Sequence, residues 1–140
     1  IAEAVQTAMD ELTEKGYRPY YIYGNTRGEG NEHIPMRSYE KTYDELYNWE
    51  KENHTFFDYI FLASSTNATQ SGLLAGSLKY EDNCKIVGIS VSRNEKRGKE
   101  VIAGNVRKYA ELYSQMLPEN WEQKIYFTDE YMEGIHREHK

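Results

Sequence analysis

Apolar residues recur along this chain with two periods, and the two alternate. Ile1, Val5, Ala8, Met9 and Leu12 stand at helical spacing, and Gly16 is placed for a C-terminal cap. Arg18 to Tyr23 (RPYYIY) reads as a short strand of residues that suit a pleated surface. The glycines, asparagines and proline of Gly24 to Pro35 predict an irregular loop. Met36, Tyr39, Tyr43, Leu46 and Tyr47 then form the apolar stripe of a second helix that ends near Lys51. A second strand from Asp58 to Ala63 leads into a third helix from Asn67 to Tyr80, and Lys85 to Val91 (KIVGISV) is a third strand. Ile102, Val106, Tyr109, Tyr113 and Met116 mark a fourth helix ending near Pro118, and Lys124 to Phe127 reads as a fourth strand.

Strands alternating with helices of this length predict an α/β protein with right-handed crossovers. The expected fold is a three-layer Rossmann-like sandwich, with a mostly parallel sheet of about four strands and helices on both faces. The near-continuous apolar runs YIFLA and IVGISV suggest strands buried on both sides. Nothing repeats internally, so residues 1–140 read as a single domain.

The chemistry concentrates where the second strand ends. YIFLA gives way abruptly to Ser64, Ser65, Thr66, Asn67, Ala68 and Thr69, and Gly72 and Gly76 follow on the third helix. Ligands of parallel sheets bind beyond the carboxyl ends of the strands. A helix N-terminus there presents converging N–H donors and a favourable dipole to a phosphate. Hydroxyls at Ser65, Thr66 and Thr69 add donors, Asn67 tolerates a left-handed backbone, and Ala68 leaves the backbone accessible. Gly72 and Gly76 would let the helix approach the sheet or a ligand closely. Simple helix capping favours the same residue types, but a cap needs one of them and this turn has five.

Charge and cysteine content narrow the class. A net charge of −6 with no basic stripe argues against nucleic acid as partner. The cluster Arg93, Lys96, Arg97 and Lys99 reads as a solvated loop. The single cysteine, Cys84, precludes an internal disulfide, fits a cytoplasmic setting and reads as a packing residue. No apolar run approaches the roughly 20 residues that span a membrane.

Two families share features of the turn. Ser64 to Thr69 is similar to the FMN loop of flavodoxins, which follows the first strand of its domain, whereas a helix, a strand and a helix precede it here. The longer match is with pyridoxal-phosphate enzymes of the D-cysteine desulfhydrase and 1-aminocyclopropane-1-carboxylate deaminase family, with a tryptophan-synthase-β-like fold. Phe57 to Gly76 resembles that family's phosphate-loop region, and Gln70-Ser71-Gly72-Leu73 fits the Gln/His-small-Gly-Leu/Met opening of its helix. KIVGISVSR (Lys85 to Arg93) looks like its next strand, and IYFTDEYMEG (Ile125 to Gly134) is similar to a later segment.

The resemblance implies that Ser65, Thr66, Asn67, Ala68 and Thr69 bind the phosphate of pyridoxal 5′-phosphate. Asn67 and Ala68 stand where the family commonly has glycine. Pro35 and Met36 occupy what is usually a glycine-rich stretch. It further implies a lyase or deaminase that converts a small amino acid to a keto acid and ammonia, in proteins that typically form homodimers. No lysine here sits in the context of the family's Schiff-base lysine, so no catalytic residue is assigned. The chain is expected to be the cofactor-binding part of a longer two-domain enzyme, inactive without the remainder of its own chain. An FMN-binding electron carrier and a non-catalytic Rossmann-like binding domain are the alternatives.

Other candidates are weaker. His136 and His139 flank Glu138 in a charged tail, where a metal pair is a poor expectation, and no metal site is assigned. His33 and His54 stand alone. Tyr23 and Tyr131 lie near strand ends, and Asn25 and Asn31 fall in the loop after the first expected strand, on the ligand side.

Overall fold

The computed structural model describes residues 2–21 and 33–132. Four α-helices run Ala2–Glu14 (α1), His33–Asn53 (α2), Ala68–Lys79 (α3) and Glu95–Tyr113 (α4). Three strands, Tyr59–Ser64 (β1), Lys85–Ser90 (β2) and Tyr126–Thr128 (β3), form an open sheet in the order β1-β2-β3. Both pairings are parallel. The expected α/β, Rossmann-like architecture is therefore present.

Several boundaries move for local reasons. Gly16 takes φ +82 and closes α1, with its N–H bonded to Thr13 O at 2.9 Å and that of Tyr17 to Leu12 O at 3.0 Å. This is the left-handed cap expected there. Helix α2 starts at His33, so Pro35 lies in its first turn, where its missing N–H costs no helical bond. Helix α4 begins at Glu95, well ahead of the apolar stripe. The cluster Lys96, Arg97 and Lys99 is thus helical, with Lys99 pairing with Glu95 and Arg97 with Glu100.

The sheet has three strands among the described residues rather than about four. Arg18 to Tyr21 form no strand, and Tyr20 is exposed; Ile22 and Tyr23 lie outside the described residues. Strand propensity depends on pairing with a neighbouring strand, and no strand of the sheet pairs with Arg18 to Tyr21.

The described helices cover one face of the sheet, not two. Leu62, Gly88 and Phe127 share a row across the strands. A Cβ on Gly88 would meet the side chain of Gln70 on α3, and one on Gly98 of α4 would meet the Phe127 ring, so this row faces α3 and α4. The next row turns outward, leaving Tyr59 and Phe61 50% and 64% exposed. Their rings stack with centroids 5.7 Å apart, and the Lys85 ammonium sits 5.3 Å from the Tyr59 ring. Among the described residues, the apolar run of β1 is therefore covered on one side. No side chain from Glu3 to Glu14 of α1 is buried either.

The core fills the space between the covered face and the helices. Leu73, Leu74 and Leu78 of α3 meet Ile86, Ile102, Val106 and Phe127, and α2 adds Met36 and Tyr43. Gly72 and Gly76 are the contact surface of α3 with α2: a Cβ at either would strike Met36 and Tyr39, or Tyr43. Their function is a close helix crossing, neither sheet nor ligand contact.

A charged network ties α2, α3 and α4 together. Lys79 Nζ donates to Glu40 Oε1 at 2.9 Å and to Asp44 Oδ1 at 2.8 Å, and Tyr109 OH donates to Glu40 Oε2 at 3.4 Å. These carboxylates raise the Lys79 ammonium above its ordinary value, chiefly through the bond to Asp44.

Candidate functional site

The site lies where β1 and β2 end. The strands pair in register up to Ser64 and Ser90, so the turns leaving them are neighbours. Each turn opens a helix behind an asparagine, Asn67 for α3 and Asn94 for α4. The two asparagines behave differently, and the difference decides what each helix end can do.

Asn94 is an ordinary cap. Its backbone is extended and its Oδ1 accepts from Arg97 N at 2.8 Å, satisfying one of the donors that a helix start leaves open. The α4 end is closed further by Asp129, whose Oδ2 accepts from Glu95 N at 2.8 Å.

Asn67 caps nothing. It sits in the left-handed region at φ 69, and its buried side chain turns inward, where Nδ2 donates to Ser64 Oγ at 3.0 Å. The nearest side-chain acceptor to the first turn is Thr66 Oγ1, 3.5 Å from Ala68 N and at the outer limit of a hydrogen bond. The α3 end thus keeps open donors beside the hydroxyls of Ser65, Thr66 and Thr69. Ser65 and Thr66 are exposed, and Ala68 and Thr69 are half-buried. No carboxylate occurs from Ser64 to Tyr80. This donor set fits a phosphate: hydroxyls and helix N–H groups around a left-handed turn, with the positive end of the dipole behind them.

Hydrogen bonds underneath hold the turn's shape. Ser71 Oγ donates to Asn67 O at 2.7 Å, and Asn105 Nδ2 on α4 donates to Ser71 Oγ at 3.3 Å. Gln70 is the keystone. Its Oε1 accepts from Ser64 Oγ at 3.1 Å, while its Nε2 donates to Ile86 O at 3.3 Å and to Tyr126 O at 2.6 Å. One amide therefore bridges β1, β2 and β3 under the loop. The sequence pointed to Gln70 only through family resemblance; its bridging role depends on contacts up to 56 positions away.

Ser65, Thr66, Asn67, Ala68 and Thr69 are all brought to one place, with Asn67 shaping the turn by its backbone while its side chain faces the interior. Sequence reasoning gave no site role to Ser90 or Ser92 and read Arg93 as part of a solvated basic cluster. These form the adjacent turn, and Arg93 donates from its guanidinium to Ser65 O. The serine spacing after β2 was the available signal. Tyr131 is described and is exposed. Tyr23, Asn25, Asn31, Glu138, His136 and His139 lie outside the described residues.

Cys84 takes no part in the site. It is buried at the opposite, N-terminal end of β2, and burial, with Asp82 next in effect, pushes its thiol up to about 11. The neutral thiol is the favoured folded form, so this contribution to stability is complete below the ordinary thiol range near pH 8.5–9 and is lost as pH rises toward about 11. Thiol-reactive dye is expected to label the folded chain far more slowly at pH 7.5 than the urea-unfolded chain. Equal rates would show that Cys84 is accessible.

Two curated proteins match this chain. One from Cryptococcus neoformans, named "Probable 1-aminocyclopropane-1-carboxylate deaminase", is 26% identical over 134 residues, 96% of this chain and 38% of its own length. The chain resembles part of a 1-aminocyclopropane-1-carboxylate deaminase. The second match, a protein of that name from Methylobacterium nodulans, is 27% identical over 112 residues, 80% of this chain and 32% of its own. The deaminase resemblance read from the phosphate-loop residues is thereby supported over most of the chain. The chain spans about a third of the length of these deaminases. No family model matches it. No helix among the described residues is long and apolar enough to cross a membrane.

Proposed function

We propose that this chain is the cofactor-holding part of a pyridoxal-phosphate-dependent deaminase acting on a small amino acid of the 1-aminocyclopropane-1-carboxylate type. In this reading the turn from Ser65 to Thr69 receives the cofactor's phosphate. The observation that carries it is the uncapped start of α3, set against the capped start of α4 one strand away. Similarity to the two deaminases favours this cofactor over FMN.

Each residue has a defined task. The hydroxyls of Ser65, Thr66 and Thr69 donate to phosphate oxygens. The backbone N–H groups of the first turn of α3 would add donors at the positive end of the helix dipole. Asn67 gives the left-handed turn that lets them converge. Fixed donors orient the bound group without reorganisation. When bound, pyridoxal phosphate supplies an electron sink for carbanion chemistry at the amino acid's Cα. The lysine that such chemistry requires would come from the remainder of the protein, so the chain alone is inactive. The bare outer face of the sheet, with Tyr59 and Phe61, would seat that remainder within a cytoplasmic homodimer.

The test avoids the aldehyde, which would react with surface lysines. Pyridoxine 5′-phosphate and unphosphorylated pyridoxine are titrated into the chain by calorimetry. The phosphate form should bind at least about 100-fold more tightly, the value of one or two charge-assisted hydrogen bonds. Thr69→Val should weaken it about tenfold or more. Equal affinity for the two compounds would overturn the reading, and tighter binding of FMN would replace it.

A further inference from the structure

We propose that Arg93 is a positioning residue that clamps the mouth of the phosphate loop from the neighbouring turn; the role rests on reading that loop as a phosphate site.

The second turn is itself rigidly held. Buried Ser90 Oγ accepts from Ser92 N at 3.2 Å and Arg93 N at 3.0 Å, and donates to Arg93 O at 2.6 Å. One hydroxyl thus fixes three backbone groups and sets where the Arg93 side chain starts. From there the guanidinium reaches across to donate to Ser65 O. Two further ties join the turns: Val91 N donates to Ser64 O at 3.2 Å, and the hydroxyls of Ser65 and Ser92 meet at 3.3 Å.

The loop needs such an anchor. Asn67 fixes its helical end from below, but Ser65 and Thr66 are exposed and precede the first helical turn. Without a tie at Ser65, phosphate binding would have to order the backbone there, and that ordering would weaken affinity. Among the described residues Arg93 has no carboxylate partner, unlike Arg97 and Arg107, which pair with Glu100 and Glu122. A carboxylate at this point would compete with phosphate for the same donors. Arginine suits the task because its guanidinium offers several donors in a fixed plane and stays charged.

The experiment compares the 15N-labelled chain with Arg93→Gln and Arg93→Lys, titrating each with pyridoxine 5′-phosphate and with inorganic phosphate. Arg93→Gln should weaken both by about tenfold, the size of one hydrogen bond from a charged donor. It should also shift the amide resonances of residues 65–69 before any ligand is added. Arg93→Lys, which keeps the charge on a different donor geometry, should show the same loop shifts with a smaller loss of affinity. If Arg93→Gln does not fold, Arg93→Lys carries the comparison. Unchanged affinity would overturn the proposal. Weakened affinity with unshifted loop amides would also overturn it, since the arginine would then act by charge alone. If the unaltered chain binds neither probe, the phosphate reading itself falls and the clamp with it; binding by the unaltered chain and Arg93→Gln alike removes only the clamp.

Discussion

Replacing Gln70 by leucine is expected to lower the unfolding free energy by about 3–5 kcal/mol, the largest single-site effect foreseen outside ligand binding. Leucine fills similar space, so the loss is not mainly one of packing. It removes both donors and the acceptor of an amide that serves Ser64 Oγ, Ile86 O and Tyr126 O. Each buried polar group left without a partner costs about 1–3 kcal/mol. A domain of this size has only about 5–15 kcal/mol in total, so the fraction lost is large. The damage should also be directional. Tyr126 O takes the shortest of these bonds, and β3 is a three-residue strand at the sheet edge, so β3 should loosen first. Urea denaturation followed by circular dichroism measures the loss, and amide exchange at β3 shows where it falls. A loss below about 1 kcal/mol would mean that the carbonyls find other donors.

Gly76→Val should cost about 3 kcal/mol, at the upper end of the penalty for overpacking. A side chain at this position falls on Tyr43 Cβ, which is attached directly to the α2 backbone and cannot rotate away. Tyr43 is completely buried, and its OH donates to Asp82 Oδ2 at 2.8 Å, so α2 has little freedom to slide. Any gain in helix propensity over glycine is only a few tenths of a kcal/mol for a β-branched residue, too small to offset the clash. Gly104 supplies the control. It lies on α4 with nothing within 4 Å of an added Cβ, so Gly104→Ala should stabilise by about 0.5–1 kcal/mol. Opposite signs at two helical glycines would establish that contact with α2, and not helix propensity, fixes residue 76. Stabilisation at both would refute the close crossing.

The sequence by itself determined the kind and order of most elements, because hydrophobic period is a local property. It also marked the hydroxyl-rich turn between β1 and α3, since an apolar run ending in hydroxyl residues ahead of a helix is local too. Asn67 is the clearest case: its tolerance of a left-handed backbone is intrinsic to the side chain, and it adopts that conformation. What failed were inferences about what lies next to what. Arg18 to Tyr21 read as the start of a strand, yet a strand forms only where it pairs with a neighbouring strand, and none of β1, β2 and β3 pairs with these residues. The run YIFLA reads as buried on both sides, and composition does not reveal that no described residue of this chain supplies the layer over Tyr59 and Phe61. Gly72 and Gly76 were legible as a close approach, but not as one to α2.

Only the tertiary structure decided what the turn can do. Two asparagines before two helices are equivalent in sequence, and either would pass as a cap. Parallel pairing of β1 with β2 sets their turns side by side, with the α4 start closed by Asn94 and Asp129 and the α3 start left open. Capping, bridging and clamping are relations between residues distant in the chain, such as Gln70 with Tyr126 or Arg93 with Ser65. Local propensity carries no information about such pairs, because they exist only after the strands have found their register.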